Sequence, residues 1–206
     1  MLNKANQILN ERFVFLSKFA QSPNTIGSIT PSSSFLVKKM LGDLPWGDIG
    51  VIVELGAGTG VFTKYIDRYK KDSCKAVIIE KDSQLRQSLA DSYPSFYFAA
   101  QAARLDSTMW QLDMGEADCI ISGLPFAMFS PELREQIMEA ALRSLKPGGL
   151  FIAFQYSLQM KSMLERYFNE IDISLMLFNL PPAFVYRCRK LCPSFGTKRN
   201  IRATSD

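Results

Sequence analysis

Residues 51–66 constrain the fold of this chain more than any other stretch. The apolar, β-branched run Val51–Leu55 ends in a turn of sequence Gly-Ala-Gly-Thr-Gly at 56–60, and an amphipathic helical pattern follows directly. A strand, a glycine turn and a helix in this order place backbone N–H groups at a helix N-terminus, where a polar or anionic ligand can bind. The glycine spacing differs from the G-x-G-x-x-G of dinucleotide-binding proteins. The stretch therefore predicts a ligand-binding strand–turn–helix unit, and a turn without a ligand is the alternative.

The pattern after residue 51 alternates between strands and helices. Apolar runs predict strands at 51–55, 76–80, 96–99, 117–122 and 149–155, and helical periodicity predicts helices at roughly 60–70, 83–92, 131–145 and 158–168. Alternating units of this kind imply an α/β fold, with a mostly parallel sheet and helices on both faces. Two further extended runs, Ile171–Phe178 and Ala183–Leu191, predict a closing hairpin-like pair and bring the sheet to seven strands.

Composition excludes several classes of function. A length of 206 residues with 47% hydrophobic and 21% charged residues is typical of one soluble domain. No apolar run approaches the roughly 20 residues needed to cross a bilayer, and the N-terminus lacks a secretory signal, which predicts a cytoplasmic protein. The four cysteines lack metal-like spacing. Because the chain has no histidine, mechanisms that need an imidazole base or a His-ligated metal are excluded. A reaction with an already activated donor fits this composition best.

Both ends of the chain are basic. Residues 1–20 carry a charge of +2 and residues 187–206 carry +5, which leaves −3 for the middle of a chain of net charge +4. Basic ends suit an anionic membrane or nucleic acid, or else they are solvated termini. Periodicity also predicts an amphipathic helix at 2–20. Its apolar stripe suits a membrane interface and suits packing on the domain equally well, so both interpretations stay open.

Residues 22–34 form a hydroxyl-rich connector that proline and glycine interrupt. Ser32 or Ser33 is the expected N-cap of a short helix through Phe35–Leu41. These features divide the chain into an N-terminal helix and cap segment, residues 1–45, and a main domain, residues 46–206.

An acid and an amide follow the second and third predicted strands. Glu80 lies twenty residues past Gly60, where dinucleotide-binding folds carry an acid that accepts ribose hydroxyls. Glu80 should therefore select a cofactor that contains adenosine. The alternative is that it is a surface acid at the end of a strand, without a ligand. Gln101 follows the third strand, and its carbonyl oxygen can accept the amino group of adenine.

With Glu54 two residues ahead of its first glycine, the 56–60 turn resembles the first motif of class I S-adenosylmethionine-dependent methyltransferases. In members that methylate amines or adenine, a turn like Ser-Gly-Leu-Pro-Phe at 122–126 lines the methyl-transfer site. Proline rigidifies such a turn, so that backbone carbonyls can face an attacking N–H, and the aromatic ring can pack against a cation. RNA adenine dimethylases carry Asn-Leu-Pro-Tyr there, and this chain lacks that asparagine.

Three strings, at 26–36, 122–126 and 180–187, narrow the resemblance to the bacterial phospholipid N-methyltransferases. The resemblance covers nearly the whole chain and departs from the family pattern at Ser34, where arginine is expected, and at Gln101, where aspartate is common. It implies a Rossmann-like class I methyltransferase fold, S-adenosylmethionine as the cofactor, and the amine of phosphatidylethanolamine as the methyl acceptor, towards phosphatidylcholine.

The resemblance also implies roles for individual residues. The cofactor site comprises Glu54, Gly56, Ala57, Gly58, Thr59, Gly60, Glu80, Lys81, Gln101, Ala102 and Ser122. The catalytic set comprises Ser122, Gly123, Leu124, Pro125 and Tyr186, with Tyr186, Tyr156 and the carbonyls of 122–124 as candidate proton acceptors. The substrate set comprises Ser28, Ser32, Phe126, Tyr156 and Arg187. Arg187 is the expected phosphate contact, and an exposed basic residue on an ordinary strand is the alternative. No metal site is predicted.

The predicted protein is thus a peripheral enzyme at the inner face of the cell membrane, with an anionic membrane surface and a phospholipid substrate as partners. The first alternative is an rRNA adenine N6-methyltransferase. Basic charge and the Leu-Pro-Phe turn favour it, whereas the missing asparagine and the lack of a C-terminal helical domain for gripping RNA disfavour it. The second is a non-catalytic cofactor-binding subunit, which the intact glycine turn and Glu80 disfavour.

Overall fold

The computed structural model describes residues 31–177 and 182–192. The predicted helix at 2–20, residues 22–30 of the connector, including Ser28, and the basic tail from residue 193 onward lie outside the described residues, whereas the last four connector residues, 31–34, are helical. Within them, no helix has both the length and the apolar character needed to cross a membrane.

One sheet of seven strands organises the described chain, in the order β3-β2-β1-β4-β5-β7-β6. The strands are β1 (Val51–Leu55), β2 (Lys75–Ile79), β3 (Tyr97–Ala99), β4 (Ala117–Ser122), β5 (Leu145–Gln155), β6 (Glu170–Met176) and β7 (Ala183–Arg189). The first five are parallel, and β7 lies antiparallel between β5 and β6. The predicted seven-stranded, mostly parallel α/β fold with its closing antiparallel pair is confirmed.

Six helices connect or precede the strands in the described part of the chain. They are α1 (Pro31–Leu41), α2 (Val61–Tyr69), α3 (Ser83–Ser92), α4 (Leu105–Gln111), α5 (Pro131–Ser144) and α6 (Lys161–Tyr167). Short 3-10 turns lie at Ala102–Arg104, Phe126–Met128 and Leu158–Met160. Local signals fix two of the helix starts, since the side chains of Asp82 and Ser130 accept hydrogen bonds from the first backbone N–H groups of α3 and α5. Sequence periodicity did not predict α4.

Apolar residues cover both faces of the sheet. Because side chains alternate along a strand, one face of the sheet packs against α4, α5 and α6 and the other against α1, α2 and α3. In β4, for example, Ile120 joins the first cluster while Cys119 and Ile121 join the second. The sheet is therefore the middle layer of three.

Helix α1 is part of this core, which corrects two predictions. It begins at Pro31, so Ser32 and Ser33 lie inside its first turn and neither is the N-cap. Proline is favoured at a first helical position because its fixed φ suits the helix and its missing N–H has no partner there. The side chains of α1 that face the sheet are buried, among them Met40 and Leu41 at 0% exposure. Residues from 36 onward thus belong to the main domain, and the predicted boundary after residue 45 is too late.

Several strand boundaries differ from the predictions by one or more residues, and two of these differences affect the argument. Strand β5 starts at Leu145, so the Lys-Pro-Gly-Gly sequence at 146–149 lies within the strand, beside a register shift against β4. Strand β2 ends at Ile79, which makes Glu80 the first residue beyond it. That position carries a side chain out over the end of the sheet.

The sheet has two ends along the strand direction, and here we call each of them an edge. Strands β1 to β6 all end at one of them, which we call the carboxyl edge, because β6 is antiparallel to β7 and therefore parallel to β5. At the opposite, amino edge lies an open cavity of about 920 Å³ whose lining includes Asp48, Asp118, Lys146 and Arg189. Asp118 and Lys146 are paired at 2.6 Å between Oδ1 and Nζ.

Candidate active site

The glycine turn after β1 and the turn after β4 are packed backbone against backbone at the carboxyl edge. The Gly123 N–H donates to the Leu55 carbonyl at 2.9 Å. A Cβ added to Gly56, whose φ is +77°, would lie 2.8 Å from Cδ2 of Leu124, and one added to Gly123 would lie 2.9 Å from the Gly56 oxygen. A side chain at Gly123 would therefore press on the backbone of the glycine turn, whereas at Gly56 the positive φ disfavours other residues and the Leu124 side chain would have to move. Two motifs that are 66 residues apart in sequence thus form one site.

The middle glycine of the turn faces open space. Gly58 has a φ of +55°, and a Cβ there would meet no atom within 4 Å. Its N–H donates to Oε2 of Glu80 at 2.7 Å. The positive φ favours glycine, and the empty space beside it is where a ligand can approach the backbone.

The Glu80 carboxylate connects the glycine turn to the start of α3. Its Oε1 accepts the Asp82 N–H at 2.8 Å, in addition to the bond from Gly58 to Oε2. The side chain of Arg86 donates to the carbonyls of Glu80 and Lys81, at 2.7 and 3.2 Å, which holds the segment in place. An ionised carboxylate has about four lone-pair sites, so it retains acceptors for two ribose hydroxyls.

The predicted adenine contacts lie beside Glu80. The Glu80 N–H donates to the Ala99 carbonyl at 2.9 Å, which ties the ends of β2 and β3 together. Gln101 is exposed two residues later, and Ala102 is partly buried against the core. The structure thus brings these residues to the same edge as the glycine turn, and the adenine contact of Gln101 stays a prediction.

Glu54 is a fully buried carboxyl directly beneath the glycine turn. Its side chain has 0% exposure, and Oε2 accepts the Thr63 hydroxyl at 2.6 Å. Oε1 has no hydrogen-bond partner among the described residues. Burial raises the pKa of Glu54 to about 7, and the negative charge of Glu80 adds to the rise, while the Thr63 hydrogen bond opposes it. A buried oxygen without a partner costs free energy and suits a ligand that brings a cationic donor.

The turn after β4 is ordered by its own polar groups. The buried Ser122 hydroxyl accepts the Leu124 N–H at 3.3 Å. The Leu124 carbonyl in turn accepts Nε2 of Gln155 at 2.9 Å, and Gln155 is itself buried at the end of β5. This bond occupies one of the carbonyls that sequence analysis proposed as a proton acceptor.

Phe126 does not contact the cleft as predicted. Its ring has 0% exposure and packs in the core, edge-on to Phe129 at 6.0 Å between ring centroids. The 3-10 turn that begins at Phe126 directs this ring inward and leaves Ala127 and Met128 exposed. The predicted substrate contact through Phe126 is therefore wrong.

Tyr186 also lies in the core, contrary to its predicted role as a proton acceptor. The side chain has 0% exposure, and its hydroxyl donates to the Ser157 carbonyl at 3.1 Å. Burial raises the pKa of Tyr186 to about 12. A phenol that keeps its proton and has no access to the cleft cannot accept one from a substrate at neutral pH.

Arg187 holds α1 against the sheet and does not face the glycine turn. Its Nη2 donates to the Met40 carbonyl at 3.2 Å, and its Nη1 lies 3.7 Å from Oδ2 of Asp43. Strand β7 enters the sheet at the carboxyl edge, so Arg187, its fifth residue, has already passed towards the amino edge. The predicted phosphate contact is replaced by a bond to the end of a helix, where cations are favoured.

Three other substrate predictions remain untested by this geometry. Tyr156 follows β5 at the carboxyl edge and is partly buried, edge-on to Phe154 at 5.9 Å between centroids. Ser32 lies in the first turn of α1, and Ser28 lies outside the described residues.

Sequence reasoning missed three residues that support the site. They are Thr63, Asp82 and Gln155, which bond Glu54, Glu80 and Leu124 respectively. A polar residue at the end of an apolar strand was the signal that identified Glu80, and the same signal was available for Gln155. Nothing local marks Thr63, because its partner is fixed by how α2 packs on β1.

The seven-stranded sheet, the glycine turn above Glu54 and the acid after β2 define a class I S-adenosylmethionine-dependent methyltransferase. A family model described as a methyltransferase domain matches residues 52–149. Among solved structures, the N-methyltransferase NodS of Bradyrhizobium japonicum with bound S-adenosyl-L-homocysteine superposes with a TM-score of 0.61 at 12% identity, covering 77% of this chain and 85% of that one. The 16S rRNA N2 G1207 methyltransferase of T. thermophilus gives 0.60 at 19% identity, over 81% of this chain and 45% of that one. These likenesses concern the fold.

A curated relative defines the family more closely. The ornithine lipid N-methyltransferase of Singulisphaera acidiphila is 32% identical over 193 residues, which cover 91% of this chain and all of that protein. The chain belongs to the family of bacterial lipid N-methyltransferases that this relative represents, within the class I methyltransferases, and its cofactor is S-adenosylmethionine. The unpartnered Glu54 oxygen and the open space at Gly58 fit that cofactor, which carries a cationic ammonium and a nucleoside.

Proposed function

We propose that this protein transfers a methyl group from S-adenosylmethionine to the amine headgroup of a membrane lipid, with phosphatidylethanolamine as the substrate. The observation that carries this proposal is the match along 91% of the chain to a protein named as a lipid N-methyltransferase. Phosphatidylethanolamine and an ornithine lipid both present an alkylamine near an anionic group. They differ in that group, a phosphate in one and a carboxylate in the other.

The residues on the cofactor side would hold the donor by complementary charge. Glu54 faces its ammonium, the Gly58 backbone allows close approach, and Glu80 accepts its ribose hydroxyls. The bound sulfonium supplies an activated methyl group, so the protein needs neither a metal nor a covalent intermediate. The main contribution of the chain is to align the acceptor nitrogen with that methyl group.

The turn after β4 would orient the amine. Ser122, Gly123 and Leu124 are held by bonds to Leu55 and Gln155, so their backbone has little freedom to move. The amine must lose its proton, and a low-dielectric site beside a positive sulfonium lowers the pKa of an alkylammonium. The proton acceptors that remain from the predicted set are the carbonyls of Ser122 and Gly123 and the side chain of Tyr156.

The protein would meet its lipid at the inner face of the cell membrane. The predicted amphipathic helix at 2–20 combines three phenylalanines with basic residues, which suits an anionic interface. Deleting residues 1–20 should lower vesicle binding while cofactor binding stays unchanged. Equal vesicle binding by the truncated protein would mean that this segment only packs on the domain.

The decisive experiment offers three acceptors to the full chain with labelled S-adenosylmethionine. They are vesicles with phosphatidylethanolamine, vesicles with an ornithine lipid, and ribosomal RNA. We expect label in phosphatidylethanolamine at the highest rate. Label in the ornithine lipid alone would move the proposal to that substrate, and label in RNA alone would overturn it.

A further inference from the structure

We propose that exposed apolar side chains on the substrate half of the carboxyl edge form a docking surface for the acyl chains of a bilayer lipid. These residues are Met128, Leu158, Leu175 and Leu177, which we call the apolar rim. The inference deepens the proposed function, on which it rests, because it states how the lipid is held while its headgroup reaches the turn after β4.

The rim is contiguous with the candidate active site. Met128 and Leu158 lie on the 3-10 turns after β4 and β5, which contact each other. The Gln155 bond to the Leu124 carbonyl joins the same two segments. Gln155 pairs with Phe184, which pairs with Leu175, so Leu175 lies two strands, about 10 Å, from the end of β5. The rim thus extends outward from the methyl-transfer turn along the edge of the sheet.

The side chains of the rim are well exposed. Met128 and Leu158 are each 46% exposed, Leu175 is 51% exposed and Leu177 is 66% exposed. Single exposed apolar residues are ordinary, whereas a cluster beside a binding cleft marks an interaction surface. An acyl chain is the occupant whose chemistry matches such a cluster next to a site for an amine headgroup.

The distribution of charge divides the carboxyl edge into two halves. On the cofactor half, the segments 80–86 and 101–106 contain charged residues. On the substrate half, the segments 122–130, 155–160 and 173–177 contain none. An RNA substrate would need cations in contact with its phosphates, and hydrocarbon needs their absence. The uncharged half therefore matches a lipid and does not match RNA.

Two cations flank the uncharged half at a short distance. Lys161 follows the turn that carries Leu158, and the Nη2 of Arg134 donates to the Ala127 carbonyl at 3.1 Å, next to Met128. Cations just outside an apolar patch suit the phosphate level of a bilayer when the patch enters the hydrocarbon. Glu132 and Asp172 flank the same segments, and Nζ of Lys161 lies 3.7 Å from Oε1 of Glu165, so the proposal rests on the apolar rim and not on these two cations.

The test compares rim variants with a matched control at the opposite edge. Leu158→Ser and Leu175→Ser remove rim side chains, and Leu191→Ser removes a leucine of similar exposure, 53%, that follows β7 at the amino edge. Methyl transfer is measured on phosphatidylethanolamine vesicles and on glycerophosphoethanolamine, which has the same headgroup without acyl chains. We expect each rim variant to lower kcat/KM on vesicles about tenfold, because partial burial of a leucine in hydrocarbon contributes roughly that factor. Transfer to the soluble acceptor should stay unchanged in all three variants.

Three results of this comparison would overturn the proposal. They are unchanged transfer to vesicles in both rim variants, an equal loss on the soluble acceptor, and an equal loss in Leu191→Ser. Size-exclusion chromatography provides a further check, since a dimer that the rim variants abolish would make the rim an interface between copies of the chain.

A second measurement separates this proposal from the proposed function. Leu158→Trp and Leu191→Trp proteins are mixed with vesicles whose acyl chains are brominated, and the fluorescence is compared with that of the unmodified chain. Additional quenching at position 158 but not at position 191 supports the docking surface, even if the protein methylates none of the lipids offered. Equal quenching at both positions, or none, refutes it.

Discussion

The substitution Glu54→Gln tests the electrostatics of the site most directly. Glu54 ordinarily ionises at pKa 4.5, and burial raises its pKa in the folded protein to about 7. At about 1.4 kcal/mol per pKa unit, holding the carboxylate ionised in the folded state costs about 3 kcal/mol of stability above pH 7. The sign follows from proton binding: between pH 4.5 and 7 the folded state keeps a proton that the unfolded state has lost. Stability therefore falls as pH rises through this window.

The assay is urea unfolding, without cofactor, at pH 5, 6, 7 and 8. The wild-type free energy of unfolding should decline by roughly 2 to 3 kcal/mol relative to that of the glutamine variant across this range, since a part of the total loss has already occurred at pH 5. Other groups contribute little to the pH dependence of stability between pH 5 and 8, because the chain contains no histidine, the residue that usually titrates in this range. Glutamine has the shape of glutamate and still accepts the Thr63 hydroxyl, so the comparison isolates the charge.

Cofactor binding provides the matching measurement. A cationic ammonium beside Oε1 stabilises the carboxylate, so wild-type protein at pH 6 should release close to one proton per cofactor bound, and the glutamine variant should release none. Calorimetry in buffers of different ionisation enthalpy measures that number. If the two proteins show parallel stability curves from pH 5 to 8, the reasoning from burial is refuted. Equal proton release would refute the pairing with the cofactor.

Three further substitutions test other parts of the account. Glu80→Ala should weaken cofactor binding by about tenfold to a hundredfold, since it removes charged hydrogen bonds, and unchanged affinity by calorimetry would exclude the ribose contact. Tyr186→Phe should cost about 1 kcal/mol of stability by losing the bond to Ser157 and should leave turnover within about twofold, whereas a hundredfold loss would restore it as the proton acceptor. Asp118→Asn should lower stability at pH 7 by about 2 kcal/mol. Burial opposes ionisation of Asp118, but hydrogen bonds from Lys146 and two backbone N–H groups hold its pKa below the ordinary value. The extra stability of the wild type over the asparagine variant should therefore disappear as pH falls below 4. Extra stability that persists below pH 4 would contradict this account.

The sequence by itself determined the cofactor half of the site. The strand, the glycine turn and the helix at 51–66 are local in sequence, and the acid after the next strand follows at a distance that the βαβ unit fixes. Positive φ at Gly56, Gly58 and Gly60 is a property of the turn itself. Such features depend only on residues that are close in the sequence, so the residue pattern is enough to predict them.

Only the tertiary structure decided the substrate half. The string around Tyr186 and Arg187 predicted family membership correctly, yet both side chains face away from the cleft. Alternation along a strand says that neighbours point to opposite faces, but it does not say which helix covers each face or that β7 runs from the carboxyl edge inward. The hydrogen bond from Gln155 to Leu124 and the uncharged rim likewise depend on strands that become neighbours only when the sheet forms. The order of the strands in the sheet determines which distant segments are in contact, and the spacing of residues in the sequence does not specify that order.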